Sequence, residues 1–320
     1  MSKISLVVGN GLSMSFGSQS GISSKFNSQQ PLAWNVKCPS TGGLLIDSFP
    51  SLKKLWEKNL SIKHFDIFAL ALDKSYCNSI GLDSFKTTLE ARHFLTIAFS
   101  EYSLLQSSKL NSDWNWFQWI SLHKSRINGA FSLNYDLLLE SIFDKLSMTY
   151  YSLQVNHSGR GIPLVKPHGS VDFEIADGTI SYHAQYPLGG ISVDLNDAPI
   201  KRLDGNNLLY PRKQPLCIIP NEANKYQDYQ WVKPANKWFE RVLKESEYCL
   251  FIGISYFPCD RDEIDRIVDS LSKDCEIIIA NPSPPDDFLK KIKDRRYTVW
   301  DSLNGPVDEN GNLYSLPNSL

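Results

Sequence analysis

Apolar positions along this chain follow two rhythms. The first is a short run, Ile4, Leu6, Val7 and Val8, which stops at Gly9. Gly9-Asn10-Gly11-Leu12-Ser13 follows, then the small residues Ser15, Gly17 and Ser18. That order predicts a buried strand, a tight glycine-rich turn and a helix start. From about residue 18 to 125 the apolar spacing changes to three and four. Leu52-Lys53-Lys54-Leu55-Trp56, Phe65 to Leu72, and Phe85 to Phe99 with Leu89, Phe94, Leu95 and Ala98 all predict helices. In Trp114-Asn115-Trp116-Phe117-Gln118-Trp119-Ile120, Trp116 and Ile120 stand one turn apart. The region reads as a large, mostly helical insertion after the first strand.

Short apolar runs return at Ile127. Strands are predicted over 128–133, 162–165, 216–220, 248–252, 275–280 and 297–300. Helices are predicted to follow Asp136, to span 231–247, and to span 260–272 with Ile264, Ile267, Val268 and Leu271 on one face. Residues 171–210 are polar and rich in Gly and Asp, which reads as a loop or a small β excursion. Strands alternating with helices predict an α/β fold with a Rossmann-like parallel sheet and right-handed crossovers. In such sheets ligands gather at the carboxyl ends of the strands. Five polar loops fall at those ends: Gly9–Ser13, Asn134–Asp136, Lys166–Ser170, Gly253–Ser255 and Asn281–Pro282. They are expected to converge on one rim.

Composition narrows the chemistry. The hydrophobic fraction of 42% in 320 residues supports an ordinary globular core, and 33 Lys+Arg against 35 Asp+Glu leave a formal charge of −2. That balance argues against nucleic-acid binding by bulk charge, so no direct nucleic-acid partner is expected. No apolar stretch approaches a spanning helix, and the first residues are too short for the core of a signal peptide. A soluble cytoplasmic protein with no membrane partner is therefore expected. The six cysteines, Cys38, Cys77, Cys217, Cys249, Cys259 and Cys275, include no C-x-x-C pair. Neither a zinc ribbon nor a disulfide framework is expected, and most thiols should be reduced and at least half-buried. His64, His93, His123, His157 and His183 share no ligand spacing, so no metal site is expected.

Taken singly, the loop motifs each allow a plain reading. The first loop has Met14 where a third glycine would complete G-x-G-x-x-G, which disfavours a standard dehydrogenase. It is either a phosphate cradle or a bare turn. Asn134 and Asp136 serve either a ligand or the following helix as caps. His168, between Pro167 and Gly169, is either an exposed loop residue or a titrating group at a site. Asp260, Asp262, Glu263 and Asp265 read mainly as charges complementing a solvated helix terminus. The tryptophan-rich run reads as core or subunit contact.

In order, Gly-Asn-Gly-Leu-Ser, Ser-Leu-Asn-Tyr-Asp, Lys-Pro-His-Gly-Ser, Gly-Ile-Ser and Ala-Asn-Pro resemble the sirtuin-like NAD-binding family. More narrowly, they are similar to its bacterial antiviral-defence branch. The resemblance covers about 1–17 and 126–300. It implies a sirtuin-like NAD-binding core over 1–17 and 126–320, with 18–125 as the helical insertion. It further implies an NAD+ glycohydrolase that releases nicotinamide and ADP-ribose and drains NAD+ in abortive infection. Asn134 would hold the nicotinamide ribose and position water, and His168 would be the catalytic base or polarise a ribose hydroxyl. Asp136 would meet the nicotinamide carboxamide. Gly9, Gly11 and Ser13 would line the diphosphate, Gly253 and Ser255 the phosphate and adenine ribose, and Asn281 the adenosine end. NAD+ would be substrate, with no further cofactor. A homo-oligomer or a co-encoded regulator would restrain the enzyme, such as an ATPase, an Argonaute or a nucleotide-pyrophosphatase-like protein, using exposed aromatics of the helical insertion. Two departures stand out: Asn10 replaces a common alanine, and the zinc-binding cysteine pairs of the protein deacylases are missing. Deacylase or ADP-ribosyltransferase activity, or NAD+ sensing without turnover, are the alternatives.

Overall fold

A computed structural model describes residues 2–62, 65–156, 158–176, 200–210, 215–219 and 225–317. The chain opens with β1 (Ile4–Val8) and α1 (Asn10–Gln19), then α2 (Pro50–Lys58), α3 (Asp66–Leu72), α4 (Lys74–Ser79), α5 (Ser84–Lys109) and α6 (Asn115–His123). Next come β2 (Ile127–Ser132), α7 (Leu138–Lys145), β3 (Tyr150–Ser152), β4 (Ile162–Val165) and β5 (Gly169–Ile175). The remainder is β6 (Ile200–Arg202), β7 (Pro215–Cys217), α8 (Lys233–Lys244), β8 (Tyr248–Ile252), α9 (Pro258–Ser270), β9 (Glu276–Ala280), α10 (Asp286–Lys291) and β10 (Tyr297–Trp300).

Seven strands form one sheet in the order β10-β9-β8-β1-β2-β4-β3, and every pairing in it is parallel. The fold is a Rossmann-like α/β fold. Side-chain alternation sorts the sheet into two faces. Ile4, Leu6, Val8, Ala130, Leu164, Leu250, Ile252 and Ile278 join a core shared with α1, α5, α6 and α7. Val7, Phe131, Val165, Cys249, Phe251, Ile277 and Ile279 join a second core with α8, α9 and α10. Burial on both faces explains why these strands read as short continuous apolar runs.

Elements α2 to α6 lie between β1 and β2, and residue 18 falls inside α1. Their apolar residues, including Phe68, Phe94, Leu95 and Ala98, belong to the same core as the first sheet face. Helix α5 is long because its apolar positions recur through several turns without Gly or Pro, and Asp83 caps it by accepting from the Lys86 amide.

Two expectations are corrected here, for the 216–220 run and for Glu263. The 216–220 run does not extend the parallel sheet: β7 pairs antiparallel with β5, which also pairs with β6 in a separate three-stranded sheet. The β excursion within 171–210 is β5 and β6, while residues 177–199 lie outside the described residues. Trp114, Trp116 and Trp119 are buried, in keeping with the core reading of the tryptophan run. Glu263 is fully buried despite its place in an acidic helix start. Strand β3 and helix α10 were not foreseen, because both are too short to carry a period.

No disulfide joins the described cysteines; Cys259 is half-buried and the other five are buried. His64, His157 and His183 lie outside the described residues, while His93 and His123 are buried. Among the described residues no cluster of three His, Cys, Asp or Glu side chains is arranged to hold a metal. No helix among them is long and apolar enough to cross a membrane.

Candidate functional site

The chain leaves β1 toward β2 on one side and later returns to β8 on the other, so the β1–β8 border is the switch point of the sheet. The turns that follow these two strands touch. The Gly9 amide donates to the Ile252 carbonyl and the Gly11 amide to the Gly253 carbonyl, each at 2.9 Å. A Cβ on Gly11 would sit 2.4 Å from the Gly253 Cα, and Gly253 adopts φ +59°. Both glycines are required for backbone contact between the loops. Helix α1 begins immediately, and Asn10 and Gly11 at its positive end face a cleft of about 1280 Å³.

The β2 and β4 loops form the opposite side. Phe131 pairs with Val165, which sets Asn134 and His168 at equal distances beyond two neighbouring strands. Both side chains belong to residues that line the cleft. The Asn134 amide Nδ2 donates to the Gly9 carbonyl at 3.0 Å and reaches Ser13 Oγ at 3.4 Å. Ser13 Oγ donates to Asp136 Oδ2 at 2.6 Å, and Asp136 Oδ1 accepts the Leu138 amide at 3.1 Å. Asp136 therefore does cap the start of α7 while also lining the cleft. Burial raises its carboxyl pKa, against the opposing effects of Ser13 and Lys166.

Lys166 explains the stiffness of these loops. It is fully buried, and its Nζ donates to the Asp136 carbonyl at 2.6 Å and to Glu140 Oε1 at 2.9 Å. Burial also raises the Glu140 pKa, with the Lys166 charge opposing it. One ammonium thus fastens the β4 loop to the loop and helix after β2.

His168 has both ring nitrogens engaged. Nδ1 lies 3.3 Å from the Leu133 carbonyl. Nε2 lies 2.8 Å from Glu263 Oε2, 3.0 Å from the Tyr226 hydroxyl and 3.8 Å from Asp260 Oδ1. Burial favours the neutral ring, but the Glu263 and Asp260 carboxylates outweigh it and lift the His168 pKa to about 9. The two carboxylates therefore favour the protonated ring in this arrangement. Burial raises the Asp260 pKa, with the His168 charge pulling the other way.

Gly253, Ser255 and Asn281 line the cleft as well. Asn281 is held by a bond from its Nδ2 to the Ile254 carbonyl at 2.9 Å. Gly9 and Ser13, by contrast, are not on the cleft surface: Ser13 is fully buried and bridges Asn134 to Asp136 beneath it. Phe65, Phe99, Trp116 and Trp300 add aromatic walls, and Met14, Phe257 and Leu303 stand exposed among the lining residues. No Lys or Arg lines the cleft among the described residues, whereas Asp66, Asp136 and Asp260 do.

Sequence reasoning read Glu263 mainly as a charge complementing a solvated helix terminus, passed over Tyr226, and treated Lys166 only as a neighbour of His168. A signal existed for Glu263: it precedes Ile264 and stands four residues before Ile267, on the apolar face of α9. Tyr226 carried no such pattern. No family model and no curated protein matches this chain. Among solved structures, it is similar to a Sir2 homolog in complex with NAD, at a TM-score of 0.42 and 11% identity, over 95% of this chain and 85% of that one.

Proposed function

We propose that this chain binds NAD+ in the cleft and hydrolyses its N-glycosidic bond, giving nicotinamide and ADP-ribose. The observation that carries the reading is the meeting of Asn134 and His168 in one cleft at the switch point of a parallel sheet. The cleft of about 1280 Å³ exceeds the roughly 300–1,000 Å³ typical for drug-sized ligands, which suits an extended dinucleotide. The amino end of α1 supplies a positive dipole for the diphosphate.

The chemistry needs little acid assistance, because nicotinamide departs from a cationic state as a neutral molecule. The burden lies in stabilising positive charge on the ribose and delivering water. Asp136 and Asp260 supply negative potential in the cleft, and Asn134 supplies a fixed amide beside the Gly9 carbonyl. His168 is the proton acceptor once its pair with Glu263 opens and Nε2 has given up its proton to solvent. Asn281, Ser255 and Gly253 serve the adenosine end, with Gly11 beside the diphosphate.

A hydrolase of this kind would drain its own cell if always active. The role that fits is an NAD-depleting effector of a bacterial anti-phage system, restrained by oligomerisation or by a co-encoded partner. Incubating the purified protein with NAD+ and resolving the products by chromatography tests the reaction. Equimolar nicotinamide and ADP-ribose are expected. Nicotinamide release only with an acylated peptide would replace this reading with deacylation, and ADP-ribose found on a protein acceptor with ADP-ribosyl transfer. Tight NAD+ binding with no release in any oligomeric state would replace it with sensing.

A further inference from the structure

We propose that Glu263 is a positioning residue for His168: it fixes the orientation of the ring and holds the proton on Nε2, so that a free imidazole nitrogen arises in the cleft only when this pair opens and the Nε2 proton passes to solvent. The inference rests on the proposed hydrolase reading for its consequence and on geometry for its substance. A carboxylate buried without a partner is strongly disfavoured, and Glu263 is 0% exposed. Its Oε2 meets His168 Nε2 at 2.8 Å, the shortest contact either ring nitrogen makes.

Every element packed on the ring agrees. From the β2 loop, the Leu133 carbonyl accepts from Nδ1, which requires that nitrogen to carry a proton. From the turn before α8, the Tyr226 hydroxyl lies at 3.0 Å from Nε2 and stays protonated, because burial and the Glu263 charge push its pKa up. From α9 come Glu263 and, at 3.8 Å, Asp260. With a proton on each nitrogen the ring is a cation, and both of its N–H groups are spent inside the protein. A ring in that state takes no proton from water.

The arrangement also sets the charge that faces the ribose. One imidazolium against Glu263 and Asp260 leaves a net negative cluster beside the place where the oxocarbenium develops. An unpaired imidazolium there would oppose that charge.

The test is the titration of the His168 ring by NMR of the full chain, its signals assigned by their loss in His168→Gln. The wild-type ring should titrate near 9. In Glu263→Gln, which keeps the shape and a hydrogen bond, the midpoint should fall by about two units, toward the ordinary histidine value. Asp260→Asn should lower it by less, in keeping with the longer distance. The rise of nicotinamide release with pH should move to lower pH by the same amount in Glu263→Gln. A wild-type midpoint near 6.5, measurable even if the variant fails to fold, would overturn the proposal. So would a shifted ring titration with an unmoved pH profile. Absence of NAD+ cleavage by the wild type would overturn the hydrolase reading alone, and the ring titration would still decide the pairing.

Discussion

The amide of Asn134 donates to the carbonyl of Gly9 at 3.0 Å, tying the loop after β2 to the loop after β1 across their shared strand border. A donor is required at this position, since the oxygen it meets can only accept. Asn134→Ala should abolish nicotinamide release, by about 100-fold or more if the amide positions a reacting group. Asn134→Asp, which sets a carboxylate against the carbonyl, should not rescue it. Far-UV circular dichroism should show both variants folded. Full turnover by either would remove Asn134 from the mechanism.

Lys166 is the partner whose loss the fold will feel most. Lys166→Met leaves Glu140 buried without its cation, and should cost about 3–5 kcal/mol in a urea titration. The double variant Lys166→Met/Glu140→Leu should recover part of that loss, because neither member of the pair is then left buried without the other.

The loops after β1 and β8 have no space for a methyl group between them. Gly253→Ala combines a φ of +59° with a clash against Gly11, whose Cα would lie 2.3 Å from the new Cβ. It should destabilise the chain by about 1–3 kcal/mol and lower the melting temperature. Gly205, where an added Cβ meets nothing within 4 Å, provides the control: Gly205→Ala should leave the melting temperature nearly unchanged.

A cleft walled by Asp66, Asp136 and Asp260, with no Lys or Arg lining it among the described residues, offers no partner for an extra phosphate. NAD+ should therefore be cleaved at least about 10-fold more efficiently than NADP+, the tenfold step corresponding to one missing charge-assisted hydrogen bond. Competition assays with the two dinucleotides would measure it. Equal efficiency would contradict this account of the adenosine end.

Stability should carry the mark of His168. Its pKa is raised from 6.5 in the unfolded chain to about 9 in the folded one. The contribution is fully present below about pH 6.5 and disappears as pH rises through about 9. Urea midpoints of the wild type should fall between those limits, relative to His168→Gln. Parallel curves for the two proteins would show that the pair contributes nothing to folding.

The sequence made the scaffold readable where burial on both faces produced clean apolar runs. Strands β1, β2, β4, β8 and β9 were located this way, and with them the loops that carry Asn134, His168, Gly253 and Asn281; the edge strand β10, with Tyr297 and Val299 exposed, was legible only as a short β-prone run. What escaped it depends on contacts distant in sequence. Nothing near Ser13 indicates that it sits beneath the cleft between Asn134 and Asp136. Glu263 is 95 residues from His168, so its charge looked like helix-end decoration until the two met. The run 216–220 has the composition of a central strand, but β7 pairs antiparallel with β5, outside the parallel sheet.

Phe65, Asp66, Phe99 and Trp116 reach the cleft from the stretch between β1 and β2, while Asn134, His168 and Asn281 reach it from the ends of strands. The two groups answer to different constraints. Strand-end loops are locked in register by the sheet and by Lys166, whereas the helical stretch can vary in side-chain size wherever its own packing tolerates it. Phe65 and Phe99 nevertheless pack on Tyr135, between Asn134 and Asp136, so a change of side-chain size in the helices that alters which molecules fit is also felt in the loop after β2.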